Sequence, residues 1–195
     1  MQNLMLIALS LLPALVIVAG LKDLTSMTIP NWISGILVIG FFPVALAAGL
    51  PPMQVAVHLG VGMLALVIGA GMFALNWIGG GDAKLMAASC LWLGVMGSTM
   101  FLLWTGLFGG LFCLFLIFAR FYSRPYLAGA PMWVGRLMEP KGDIPYGVAI
   151  AAGALMAWPA SPIIAGFAGA ERPPEPPKEK PSALRVALTT SHHGS

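Results

Sequence analysis

The chain is 195 residues long, 58% of them hydrophobic and only 9% charged, where a soluble domain carries about 25% charged residues. Ten of the 17 charged residues fall within the first 170 positions, so that part must be dissolved in lipid and an ordinary water-soluble globule is excluded. The formal net charge of +3 is not arranged as a basic stripe interleaved with aromatics, which argues against nucleic acid as a partner.

Apolar segments run over about 4–20, 32–50, 55–78, 85–97, 99–119 and 146–168, and a bilayer core takes about 20 helical residues. The first has no basic stretch ahead of it and is read as a retained helix, not a cleaved signal; it closes on Lys22-Asp23. Pro30-Asn31 starts the second, with Ile29 pushed toward extended backbone by the following proline. The third closes on Gly79-Gly80-Gly81-Asp82, with Lys84 just beyond.

Residues 85–119 would make one helix about 52 Å long at 1.5 Å per residue. That is too long for one crossing, so a turn is predicted at Gly97-Ser98, with helix 4 beginning near Asp82. Gly106 and Gly110 form a GxxxG, read as internal helix packing. A loop over 120–143 carries Arg120, Arg124, Arg136 and Lys141, read as topology determinants, and Glu139 and Asp143, read as solvated acids. Ile144-Pro145-Tyr146-Gly147 then leads into the last segment. The expectation is an all-α, polytopic domain of six transmembrane helices over 1–168. A Pro- and charge-rich tail over 169–195 is expected to be disordered, with polyproline II around 173–177.

Cys90 and Cys113 lie in apolar stretches without CxxC or Cys/His spacing and are read as small buried thiols. His192 and His193 sit in the tail without a carboxylate partner. No disulfide, metal site or cofactor is expected. No sequence repeat, phosphate-binding loop or Asn-x-Ser/Thr acceptor appears.

Cations set the orientation. Loops after spans 1, 3 and 5 hold Lys22, Lys84, Arg120, Arg124, Arg136 and Lys141, whereas the connections after spans 2 and 4 hold none. By the positive-inside rule the odd-numbered loops are cytoplasmic and both termini lie outside. Asp23 closes span 1 and Asp82 closes span 3, so two crossings return both carboxylates to one side, where they can meet. An acidic residue in or near a helical bundle is costly, which makes it a functional candidate.

Two close carboxyl groups cannot both ionise cheaply and hold a shared proton. One can then act as base toward water and the other as acid toward the leaving amine, as peptide hydrolysis requires. No Ser-His-Asp or Cys-His set faces the same side, and His58 is expected near the opposite face. The glycine run ahead of Asp82 permits positive φ and close approach of an extended substrate. Structural alternatives are that Asp82 is simply the N-cap of helix 4, and that Gly-rich loops and Pro-started helices belong to a transporter or scaffold.

At these residues the chain resembles the type IV prepilin peptidases, membrane aspartyl proteases whose second catalytic Asp lies in a GxGD motif. Gly79-Gly80-Gly81-Asp82-Ala83-Lys84-Leu85 matches GxGDxKL, and Asp23 with Pro30-Asn31 matches the D-x6-P-N signature. Ile144-Pro145-Tyr146-Gly147-Val148-Ala149 looks like the segment opening the family's last helix. The resemblance implies that Asp23 and Asp82 are the catalytic pair, supported by Gly79, Gly81, Lys84, Pro30, Asn31, Pro145, Tyr146 and Gly147. It implies a prepilin substrate, with a basic leader ahead of a hydrophobic helix, cut at the cytoplasmic face of the bacterial inner membrane. Pilus assembly follows that cut.

Bifunctional relatives also N-methylate the new terminus, using an added cytoplasmic region that often carries two CxxC pairs. Here span 2 follows Asp23 at once and those pairs are absent, so cleavage without methylation is expected, similar to the compact tight-adherence (Flp-type) pilus peptidases. Thr25-Ser26-Met27-Thr28 stands where relatives commonly carry Arg or Lys, and the 120–143 loop is expected to share in reading the leader. Lys84 either meets substrate or lipid phosphate or snorkels to the interface, pointing away from Asp82. Competing readings are a small carrier using the two aspartates as proton sites, a secretion scaffold, and a presenilin-like GxGD protease that cuts within helices.

Overall fold

The structure, a computed structural model, describes residues 2–122, 131–139, 142 and 144–170; of the tail predicted over 169–195, residues 169 and 170 are instead the end of the last helix, and the rest, with His192 and His193, lies outside the described residues, as do the loop residues Arg124, Lys141 and Asp143. Helices run over α1 Gln2–Ser26, α2 Asn31–Ala47, α3 Pro52–Ala74, α4 Gly80–Tyr122, α5 Met132–Leu137, α6 Gly147–Ala157 and α7 Pro162–Ala170. No strand occurs among the described residues, which agrees with the all-α expectation. Prolines set two of the starts: Pro30 (φ −63°, ψ 135°) precedes α2 and Pro51 (φ −65°, ψ 150°) precedes α3, each in the extended conformation suited to the residue before a helix.

Four stretches, Ile7–Ser26, Pro52–Ala74, Gly80–Tyr122 and Gly147–Phe167, are long and apolar enough to cross a bilayer, and Asn31–Ala47 is a shorter apolar helix. Ile39, Leu46, Val67, Leu103 and Phe121 point outward with more than 60% of their surface exposed. In water such a surface would aggregate, whereas in lipid it is the solvated face. The chain is an integral membrane protein. Its dry interior joins Leu12 and Val16 of α1, Ile33, Leu37 and Phe41 of α2, Trp92 of α4 and Ile150 of α6, all fully buried or nearly so.

α4 is not one rod. Gly94, at φ 65° and ψ −168°, breaks it into limbs over 80–93 and 95–122, and Asp82 and Met86 share a cavity with Thr105, Gly106 and Gly110. A straight helix would separate Asp82 from Gly110 by about 42 Å, so the second limb folds back along the first. The predicted turn at Gly97-Ser98 therefore moves to Gly94. Two constraints select glycine there: the left-handed φ, and His58, whose Nε2 would lie 2.9 Å from an added Cβ.

The break leaves carbonyls at the end of the first limb without helical partners, and lipid offers none. Side chains supply them. Ser98 Oγ donates to Cys90 O (3.2 Å), Ser161 Oγ donates to Trp92 O (2.8 Å), and His58 Nδ1 lies 2.7 Å from Leu91 O. A carbonyl only accepts, so His58 Nδ1 carries the proton. Trp92 Nε1 in turn donates to Leu37 O at 2.7 Å, tying the limb to α2.

The last apolar segment is also interrupted, by a 3-10 turn over Trp158–Ala160. Pro159 lacks the N–H that a continuous helix needs, and Ser161 Oγ accepts from Ile163 N (3.3 Å) to start α7. The bundle thus has two distinct ends. Pro162 meets Gly94 and Gly166 meets Ala48 at one end. Asp23, Gly79 and Tyr146 gather at the other. His58 belongs to the Gly94 end, as expected from the sequence.

Candidate active site

Asp23 sits in the last turn of α1 and is 6% exposed. Beyond it Met27 adopts a left-handed conformation (φ 54°), its N–H closing on Asp23 O at 2.8 Å, and so turns the chain toward Pro30 and α2. Asp23 Oδ2 accepts a 2.7 Å hydrogen bond from Gly147 N, at the first residue of α6. That N–H would otherwise be an orphan donor, and a helix N-terminus favours an anion. Gly147 also has to be glycine, since a Cβ there would lie 2.7 Å from Asp23 Cβ.

Asp82 lies in the first turn of α4 and is 9% exposed. Its Oδ2 accepts from Gly79 N at 3.3 Å, while Oδ1 is buried with no partner among the described residues. Gly79 O already accepts from Ala83 N (3.1 Å), so Gly79 is the capping residue and Asp82 reaches back to it from three positions on. Asp82 is therefore not the N-cap. One of its oxygens caps and the other is left over.

The glycine run works differently from the expectation. The positive-φ glycines among the described residues are Gly49 and Gly94, not Gly79 to Gly81. What the run supplies is space within the protein: a Cβ on Gly79 would lie 2.9 Å from Asp82 Oδ2, and one on Gly81 would lie 3.0 Å from Ile29 Cβ. The first lets the carboxyl fold back, and the second seats the α1–α2 link against the start of α4.

The two carboxyl groups line one cavity of about 320 Å³ with Gly79, Pro145 and Tyr146, and they interact coulombically. Met27, Asn76, Trp77, Ile78 and Ile144 complete its wall. Asn76, Trp77 and Ile78 were not candidates from sequence; the usable signal was Asn76, a residue type that tolerates left-handed backbone and here takes φ 57°. Pro30, Asn31 and Lys84 stand apart. Lys84 Nζ donates to Asn31 Oδ1 (2.9 Å), and this exposed pair lines a separate apolar groove with Ser34 and Gly35. Thr25 and Ser26 spend their hydroxyls on the carbonyls of Leu21 and Lys22. Arg120 Nε donates to Leu137 O at 2.9 Å, pinning the end of α4 to α5. Among the described residues no cluster of His, Cys, Asp and Glu suits a metal ion.

A pair of buried carboxyls lining one cavity is the equipment of acid–base hydrolysis. The chain matches the type IV leader peptidase family over residues 10–114. It belongs to that family. The matched stretch holds Asp23, Pro30, Asn31 and the whole Gly79 to Lys84 run, while Pro145, Tyr146 and Gly147 lie beyond it. No curated protein and no solved structure matches the chain. As a member of the type IV leader peptidase family it is an aspartic-type membrane endopeptidase, a prepilin peptidase serving pilus assembly.

Proposed function

We propose that Asp23 and Asp82 are the catalytic dyad, and that the enzyme removes the leader from type IV or Flp-type prepilins at the cytoplasmic face of the bacterial inner membrane without methylating the product. The observation that carries this reading is the convergence of two carboxyls, from the end of α1 and the start of α4, on one cavity. The short amide bond from Gly147 favours the carboxylate on Asp23, which makes Asp23 the base. Asp82, with Oδ1 unpartnered, holds the shared proton.

Asp23 takes a proton from water as its oxygen adds to the scissile carbonyl carbon, and Asp82 gives its proton to the carbonyl oxygen. As the C–N bond of the gem-diol breaks, Asp23 passes its proton to the departing amine and one gem-diol hydroxyl returns its proton to Asp82, so that the pair again shares one proton. No metal or cofactor enters. Pro145 and Tyr146 wall the cavity where an extended backbone would lie, and Gly79 and Gly81 keep Asp82 and the start of α4 in place. Pro30 sets the start of α2, and the Lys84–Asn31 bond holds α2 against α4.

Counting the two limbs of α4 separately supports six crossings, and the cations at the Asp23 end favour a cytoplasmic position for that end by the positive-inside rule. The link between α1 and α2 spans only 27–30, which leaves no room there for a methyltransferase region. Co-expression with the cell's own pilins tests the reading. The pilin should lose its leader, and its N-terminal sequence should begin just ahead of the apolar helix with an unmodified amine. A cut inside the helix would instead identify a presenilin-like protease, and an unshortened pilin would favour the carrier.

A further inference from the structure

A second cavity, of about 400 Å³, opens beside the first, between the two limbs of α4 and α6. Ile78, Asp82 and Tyr146 line both, so the two are continuous at the carboxyl of Asp82. From there the groove runs along Gly106, Gly110 and Cys113 of the second limb.

Gly106 and Gly110 do not pack inside the protein, contrary to the sequence expectation. No described atom lies within 4 Å of where a Cβ on either would sit. The glycine of this limb with an internal partner is Gly109, whose Cβ position is 3.6 Å from Ala149 Cβ and 3.8 Å from the Tyr146 ring. In lipid, helices associate by close backbone packing over small residues four apart, because apolar burial gives no net drive. An unoccupied pair of this kind, ending at a buried carboxyl oxygen without a partner, is built for another helix whose end must reach Asp82.

We infer that this groove seats the apolar transmembrane helix of the prepilin, which rests on the peptidase reading of Asp23 and Asp82. One ridge of the substrate helix lies over Gly106 and Gly110, and its leader end unwinds into the cavity between the aspartates. The cut site is then set by how far the docked helix stands from Asp82. The groove beside Lys84 and Asn31 touches neither aspartate, and so does not seat the substrate.

Photo-crosslinking residues at positions 106, 110 and 63 test this in membranes carrying a prepilin. Position 63 lies in the other groove, and an Asp82→Asn background retains the uncut substrate. Adducts bearing the leader are expected at 106 and 110 and not at 63; adducts at 63 alone, or equally at all three, overturn the inference. With Asp82 intact, Gly106→Leu and Gly110→Leu should each raise the prepilin level needed for half-maximal trimming about tenfold. Normal trimming by both, without adducts at 106 and 110, overturns the groove and leaves the peptidase reading standing. Full trimming by Asp82→Asn alone is the separate failure of that reading.

Discussion

A single methyl group at Gly147 is enough to disturb the site, since it would press on Asp23 Cβ at 2.7 Å and Oδ2 at 2.8 Å. Gly147→Ala is therefore predicted to lower the trimming rate by about 100-fold, the scale of a misplaced catalytic group, with membrane insertion unchanged. Gly60→Ala, where no described atom lies within 4 Å of the new methyl, should trim normally in the same assay. The aspartates were legible in the sequence because a nearly uncharged chain makes each acid conspicuous and parity returns both to one side. The role of Gly147 was not. It depends on α6 beginning against the last turn of α1, a meeting of residues 124 positions apart that local patterning does not encode.

At the scale of the element, the break in α4 is held open by distant side chains. Ser161→Ala removes the donor to Trp92 O and should destabilise the protein by about 1–3 kcal/mol, the cost of a buried group left unsatisfied. Gly94→Ala combines a left-handed φ with a contact on His58, and should cost about 3 kcal/mol or more. Unfolding of the detergent-solubilised variants measures both, and equal stability of Gly94→Ala and wild type would contradict the assignment of the break. The excess length of the apolar run over 85–119 revealed that a break must exist. Its position was misread by three residues because Gly97-Ser98 has turn-like composition, while the partners that fix Gly94 come from α3 and from the start of α7.

For the whole molecule, the long apolar stretches made the all-helical membrane architecture legible, because a bilayer permits few ways to satisfy the backbone. The interruption at Trp158–Ala160 escaped that reading, since apolarity is continuous through it. Orientation is testable on exposed positions at the two ends. In a background without native cysteines, Thr28→Cys should react only with reagent admitted to the cytoplasm, and Met53→Cys only with reagent outside; the reverse pattern would invert the topology and put the aspartates on the wrong side for a cytoplasmic leader.

Convergence of two acids on one cavity becomes catalysis only if each is indispensable. The most direct measurement is the mass of the pilin made alongside Asp23→Asn or Asp82→Asn, with the amount of each variant in the membrane confirmed. Each substitution alone should leave the full-length prepilin, with trimming reduced by several orders of magnitude. Mature pilin at the wild-type level with either variant would contradict the dyad.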